Sequence, residues 1–405
     1  MSRVLCVWEL GSGYGHLGRL LPVALELRER GHDVAFALRE LTHSEAFLGK
    51  HGFDLMQAPV WMGERRGGDF PINYAEMLGN FGYLDPRGLT GMVKAWRRLY
   101  ALTRPDLLLV DHAPTALLAG RGLGIRSALI GSGFASPPRT SPMPSMRPWL
   151  QTSEDQLAQR EQQVLSTISD LPRAVGMKRL ERLADLFEVE EDFLGTFPEL
   201  DHYPRAGARY WGPVFAPEEG VSPVWPEGQS ERIFAYLNPR YRDFEKVMDQ
   251  LVALPYRSLV HAPRLADKLV KRYRTRNVSI SLEPVHIVKA SRESDLVICH
   301  GGLSTSAAAL LAGRPLLVLH IQAEQLLLAQ GLAQRGFAKT VNAESKNPNY
   351  RQMIRDILSD ARFAERAQQF AAKYASFDLS SQAGLIATRC EEMLRTADGA
   401  SDRKA

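Results

Sequence analysis

The stretch "DLVICHGGLSTSAAALLAGRPLLVLH", Asp295 to His320, decides the fold. It opens on an apolar run of strand length, breaks at two glycines, continues through an alanine-rich segment of helical composition and closes on a second apolar run. Strands joined through a helix pair in parallel, because so long a crossover does not make a hairpin. Runs that are apolar throughout predict strands buried on both faces. The same half of the chain holds "RIFAYL", "YRSLVH", "NVSISL" and "FAKTV". The other half holds "RVLCVW", "DVAFAL", "FDLMQAP", "PDLLLVD" and "RSALIGSG", again interleaved with helical segments. Both halves are therefore expected to be α/β with parallel sheets.

A chain of 405 residues suits two domains of about 200 residues each. "FAPEEGVSPVWPEGQSE", Phe215 to Glu231, is rich in Pro, Gly and Glu and is expected to be the linker. That sets an N-terminal domain at 1–214, a C-terminal domain at 232–380, and a final helix and tail at 381–405 packing back on the N-terminal domain. Residues Ser136 to Pro148 hold five prolines and, with a mostly helical Ser153 to Glu188, read as a connecting insertion outside the core. "THSE", Thr42 to Glu45, reads as a capping box.

Charge excludes some functions. Fifty basic against 46 acidic residues give +4 and a pI near 8.9, without the concentrated basic face of a nucleic-acid binder. "KAWRR" and "RLADKLVKRYRTR" read as solvated helix faces. The mild excess suits an anionic small ligand or a peripheral membrane contact. No apolar run reaches the roughly 20 residues of a membrane span, and the N-terminus lacks a signal-peptide apolar region. Cys6, Cys299 and Cys390 are odd in number and far apart, so a disulfide framework is not expected. A cytoplasmic, reducing location is.

Two glycine turns sit where strands become helices. "GSGYGHLG" contains a formal G-x-G-x-x-G at Gly13, Gly15 and Gly18, with Glu40 placed as a ribose-binding acid would be. An NAD(P)-dependent oxidoreductase is therefore one reading, although Gly18 falls within the expected helix. His16 follows the turn as a possible general base, and Asp111 ends the strand "DLLLV" of the same domain, so both side chains are expected at one sheet edge. A carboxylate on the far ring nitrogen would orient the imidazole. His112 is expected to point the other way by strand alternation. The second turn, at Gly301 and Gly302, reads either as an anion site at a helix start or as a glycine turn with Ser304 as N-cap.

"GHLGRLLPVALELRERGHDVAF", "RPDLLLVDHAPTALLAGRGLGI", "YWGPVF" and "VICHGGLSTSAAALLAGRPLLVLHIQAEQ" together resemble the family 1 nucleotide-sugar glycosyltransferases of GT-B fold, nearest to the bacterial natural-product and macrolide type. The resemblance spans both domains in order. It implies two Rossmann-like domains whose sheets face each other across a cleft. It also implies an inverting transfer from a UDP- or TDP-sugar to a hydroxyl of a small-molecule or lipid acceptor. His16 matches the family's base and Asp111 its supporting acid. His300, Gly301, Gly302, Ser304 and Thr305 match the donor diphosphate site, and Glu324 and Gln325 the acidic-Gln pair that bonds the sugar. Glutamate is longer than the usual aspartate there. Leu282 and Val285 stand near the nucleotide base where plant members have tryptophan and glutamine. Ala308, Asn238-Pro239 and His320 also depart from the usual residues, which leaves the base and the sugar open. The sequence has no Asp-x-Asp, H-E-x-x-H or paired Cys-x-x-Cys, so metal-independent transfer without a cofactor is expected. "WMGERRGGDFPINYAEMLGNFGYL" and the proline-rich stretch through Trp149 are the acceptor-side candidates. An epimerase or hydrolase of the same fold, or a catalytically silent partner of a glycosyltransferase, shares these motifs.

Overall fold

The computed structural model describes residues 1–11, 15–64, 71–171, 177, 179–215, 220–341 and 347–401. The chain divides into two units, Met1–Phe215 with Ser380–Ala405, and Ala216–Leu379. Part of the expected linker, residues 216–219, lies outside the described residues.

Unit 1 carries β1 (Arg3–Trp8), β2 (Asp33–Leu38), β3 (Asp54–Gln57), β4 (Leu107–Asp111), β5 (Arg126–Gly131) and β6 (Glu191–Leu194). They form one parallel sheet in the order β3-β2-β1-β4-β5-β6. Its helices are α1 (Gly15–Glu29), α2 (Thr42–Leu48), α3 (Tyr74–Leu78), α4 (Pro86–Thr103), α5 (Pro114–Gly120) and α6 (Glu154–Ser169). Unit 2 carries β7 (Arg232–Tyr236), β8 (Arg257–His261), β9 (Val278–Ser281), β10 (Leu296–Cys299), β11 (Leu316–Val318) and β12 (Ala338–Thr340), also parallel, in the order β12-β11-β10-β7-β8-β9. Its helices are α7 (Phe244–Ala253), α8 (Asp267–Tyr273), α9 (Ile287–Glu293), α10 (Leu303–Leu311), α11 (Ala323–Gln334), α12 (Tyr350–Ser359) and α13 (Ala361–Lys373). A last helix, α14 (Gln382–Ser401), returns to unit 1.

Each sheet runs outward from its first strand in one direction and then, from its fourth, in the other. The reversal lies between β1 and β4 in unit 1 and between β7 and β10 in unit 2, the place where open parallel sheets bind ligands. All five residues of β4 are buried, as a central strand covered on both faces requires. Val4, Cys6 and Trp8 of β1 pack with Leu17, Leu20, Leu21, Ala24 and Leu27 of α1, whose spacing follows the helical repeat. Ile386, Ala387, Cys390, Met393 and Leu394 of α14 extend that core. Arg30 ties the helix down through Thr388 (2.8 Å), Glu391 (3.1 Å) and the Gly384 carbonyl (3.0 Å).

Four local expectations are corrected. The capping box at Thr42 does not form: Leu41 is the N-cap, and the Glu40 carboxylate instead accepts from His43 N (3.1 Å) and meets His43 Nδ1 (3.0 Å). Ser304 is not an N-cap either, because Gly302 holds that position. The stretch after Ser136 is core as well as connection, burying Met143, Met146, Leu183, Leu186 and Phe187 and leading into β6, which the apolar runs did not mark. His112 does not follow strand alternation: β4 ends at Asp111, and His112 takes a left-handed φ of 48° that turns its ring to within 6.3 Å of the His16 ring.

Candidate active site

In unit 1 the site is built where β1 and β4 end. Leu10 N donates to the His112 carbonyl (2.9 Å), joining the two strand exits beyond the last sheet pair, Trp8 and Asp111. Gly11 has φ +89°, a left-handed turn that suits glycine. Gly13 lies outside the described residues, and Gly15 opens α1. His16, the second residue of α1, places Nδ1 3.0 Å from Asp111 Oδ1. Arg19, one helical turn on, donates from Nη1 to Asp111 Oδ2 at 2.5 Å. The Trp8 indole stacks on the imidazole with centroids 4.9 Å apart and 18° between planes.

The electrostatics follow from burial. Asp111 is fully buried, which alone pushes its carboxyl up, but the charges of Arg19 and His16 outweigh that and hold it below the usual carboxylate range. An ionised carboxylate only accepts, so His16 donates from Nδ1, and Nε2 is the nitrogen that Asp111 does not engage. An ideal Cβ on Gly11 would lie 2.5 Å from that Nε2, so the glycine leaves the nitrogen room. One residue past the end of β1, burial pushes Glu9 up to about 7, even though its Oε2 accepts from Thr115 N at 2.8 Å.

In unit 2 the corresponding exits are those of β10 and β7. Gly301 has φ +80°, and its ideal Cβ would lie 2.9 Å from Val318 Cγ1 and 3.2 Å from the Gln325 carbonyl. A side chain has no room there. Gly302, the N-cap of α10, supplies no side-chain cap, so the first-turn N–H groups of Leu303, Ser304 and Thr305 face outward from the helix start. His300 donates from Nδ1 to the Leu319 carbonyl (2.6 Å) and accepts on Nε2 from Asn238 N (2.7 Å). Burial pushes its pKa down, and with both nitrogens bonded to backbone it is a neutral strut from the β10 exit to the exits of β7 and β11. Gln325 accepts on Oε1 from Ile321 N (2.8 Å), bracing the start of α11, and Glu324 is half-buried beside it. Leu282 is exposed, whereas Val285 is buried and pairs through its backbone with Val221.

The structure thus joins His16 and Asp111, and clusters His300, Gly301, Gly302, Ser304 and Thr305 at one turn of unit 2. Arg19, a residue that the motifs do not mark, joins His16 and Asp111. Arg19 is three residues after His16 on one helix face, a spacing that brings the two side chains together but does not say what they face. Within the acceptor-side candidates, residues 65–70 lie outside the described residues. Among the described residues no helix is long and apolar enough to cross a membrane, and no group of three or more His, Cys, Asp or Glu is arranged to hold a metal.

No protein-family model matches the chain. It is 26% identical over 392 residues to the zeaxanthin glucosyltransferase of Pseudescherichia vulneris, covering 87% of this chain and 90% of that protein. Among solved structures it superposes on the glycotransferase of kitacinnamycin with TM-score 0.70 and 20% identity, over 97% of this chain and 99% of that one. The spinosyn rhamnosyltransferase complexed with thymidine diphosphate gives TM-score 0.65 and 21% identity, over 95% and 99%. These neighbours are bacterial natural-product glycosyltransferases, and the fold of this chain is GT-B.

Proposed function

We propose that this protein transfers a sugar from a nucleoside-diphosphate donor to a hydroxyl of an apolar small molecule or lipid, with inversion at the anomeric carbon. His16 takes the acceptor proton and Asp111 holds its ring. The observation that carries this reading is the 3.0 Å contact between His16 Nδ1 and the buried Asp111, which directs the lone pair of Nε2 toward the Gly11 side. Whole-length similarity to a zeaxanthin glucosyltransferase supports the reaction class, and the thymidine diphosphate complex of a neighbour supports a TDP- or UDP-sugar.

The chemistry is a displacement. The acceptor oxygen forms a bond to the anomeric carbon as the bond to the diphosphate oxygen breaks, and the hydroxyl proton passes to His16 Nε2. A positioned base supplies about 10²- to 10⁴-fold in rate. Charge on the leaving diphosphate falls to the N–H groups and dipole at the start of α10, with the hydroxyls of Ser304 and Thr305. We assign His300 the task of holding that turn in place, since its single ring proton is already donated to Leu319. Glu324 is the residue we assign to the donor sugar. Three buried, unbridged cysteines fit a reducing compartment, and we place the activity in the cytoplasm.

The oxidoreductase reading is disfavoured by Glu40, whose carboxylate is spent on His43 at the start of α2. Incubation with UDP- and TDP-sugars and apolar hydroxylated acceptors, with a chelator present, is expected to release nucleoside diphosphate and give a glycoside of inverted configuration. Binding of NAD without binding of any nucleoside diphosphate would refute the assignment. Free sugar or an epimerised donor as the sole product would select the epimerase or hydrolase reading instead.

A further inference from the structure

Asp111 is gripped from both sides by one turn of one helix. His16 takes Oδ1 at 3.0 Å and Arg19 takes Oδ2 at 2.5 Å, with the carboxylate and the guanidinium both buried. A buried guanidinium is costly to desolvate and is retained only where its charge is matched. From the geometry we infer that Arg19 is a positioning residue for the base. It fixes the carboxylate so that Oδ1 faces His16 Nδ1, and it cancels the carboxylate charge so that the imidazole rests neutral with Nε2 unprotonated. This inference rests on His16 being the base.

The charge count shows why the arginine matters. At rest the trio carries +1 on Arg19, −1 on Asp111 and none on His16, and after proton abstraction the sum is +1. Without Arg19 the resting sum is −1, pressed against an imidazole in a site from which water is largely excluded. Negative charge at that range favours the imidazolium, which cannot act as a base. Among the described residues, the rings packed on His16 are that of His112, 6.3 Å away, and the uncharged Trp8 stacked at 4.9 Å. Neither supplies a permanent positive charge. Hydrogen bonding alone is insufficient, since a neutral amide at position 19 could still donate to Oδ2.

The test compares Arg19→Gln with Arg19→Lys. For a unit charge removed at about one helical turn, the acid limb of the kcat/KM profile is expected to move up by about one to two pH units in Arg19→Gln. In Arg19→Lys it is expected to stay near the wild-type position. In ¹⁵N spectra of histidine-labelled protein at neutral pH, wild type and Arg19→Lys should show His16 protonated on Nδ1 alone, and Arg19→Gln should show both nitrogens protonated. Arg19→Met repeats the charge removal if the glutamine variant does not fold. Coincident limbs and ¹⁵N patterns in wild type and the charge-free variant overturn the inference, as does the same shift in the lysine variant. The ¹⁵N result needs no turnover, so it stands apart from the base reading, which fails on its own if His16→Ala transfers sugar at the wild-type rate.

Discussion

Replacing Gly11 by alanine tests the site through a single methyl group. The new Cβ would lie 2.5 Å from His16 Nε2 and 3.2 Å from its Cε1. Carbon contacts are comfortable near 3.5 Å, so the ring must move by about 1 Å. It is not free to do so without loss, because Nδ1 is bonded to Asp111 at 3.0 Å and the ring lies on Trp8. A shift of about 1 Å carries Nδ1 beyond hydrogen-bonding distance and releases the tautomer. The φ of +89° adds roughly 1–2 kcal/mol of backbone strain for any residue with a Cβ. Gly11→Ala is therefore expected to fold with a stability loss of about that size, while kcat/KM falls by about 10²-fold, the scale of a misplaced reacting group. Nucleoside diphosphate release measures the second effect, and urea unfolding the first. A folded variant within threefold of wild-type turnover would refute the reasoning about Nε2.

Glu9→Gln is expected to change the pH dependence of stability. Burial raises Glu9 from its usual 4.5 to about 7, so its contribution is fully present below 4.5 and is lost as pH rises toward 7. Wild type should lose about 3 kcal/mol relative to the glutamine variant across that window, and denaturation curves at pH 4.5 and 8 that differ equally for both proteins would contradict this. Ile386→Ala should destabilise unit 1 by about 2–5 kcal/mol, because Ile386 is fully buried in the core shared with α1, and a loss under 1 kcal/mol by denaturant titration would contradict that packing. Gly301→Ala should raise the dissociation constant of TDP or UDP about tenfold, since Val318 Cγ1 at 2.9 Å forces the turn to shift; unchanged calorimetric affinity would remove that turn from the donor site.

Most of the architecture is visible in the chain because central parallel strands are apolar on both faces. That is why "DLLLV" and "LVIC" are unmistakable as β4 and β10. The edge strand β6 is not, since Glu191 and Asp192 keep half of its four residues polar and only partly buried. At Thr42 the helix-start pattern is real but names the wrong residue, because the longer Glu40 side chain reaches forward to His43 N. His112 departed from alternation because the strand had already ended and its backbone turned left-handed, which no local pattern of side chains announces. Pairing of His16 with Asp111 could be read from their positions at two strand exits. Arg19 could not, because a basic residue on an amphipathic helix ordinarily faces water, and only the fold shows the carboxylate waiting beneath it. His300 illustrates the same limit: its two partners are backbone groups of Leu319 and Asn238, and these carry no side-chain signature.

The most direct measurement is a single turnover with saturating donor and acceptor in wild type and His16→Ala, with donor affinity measured beside it by calorimetry. The account predicts that the alanine variant binds nucleoside diphosphate as wild type does while glycoside formation falls by about 10²- to 10⁴-fold. Glycoside formed by the variant at the wild-type rate would contradict it.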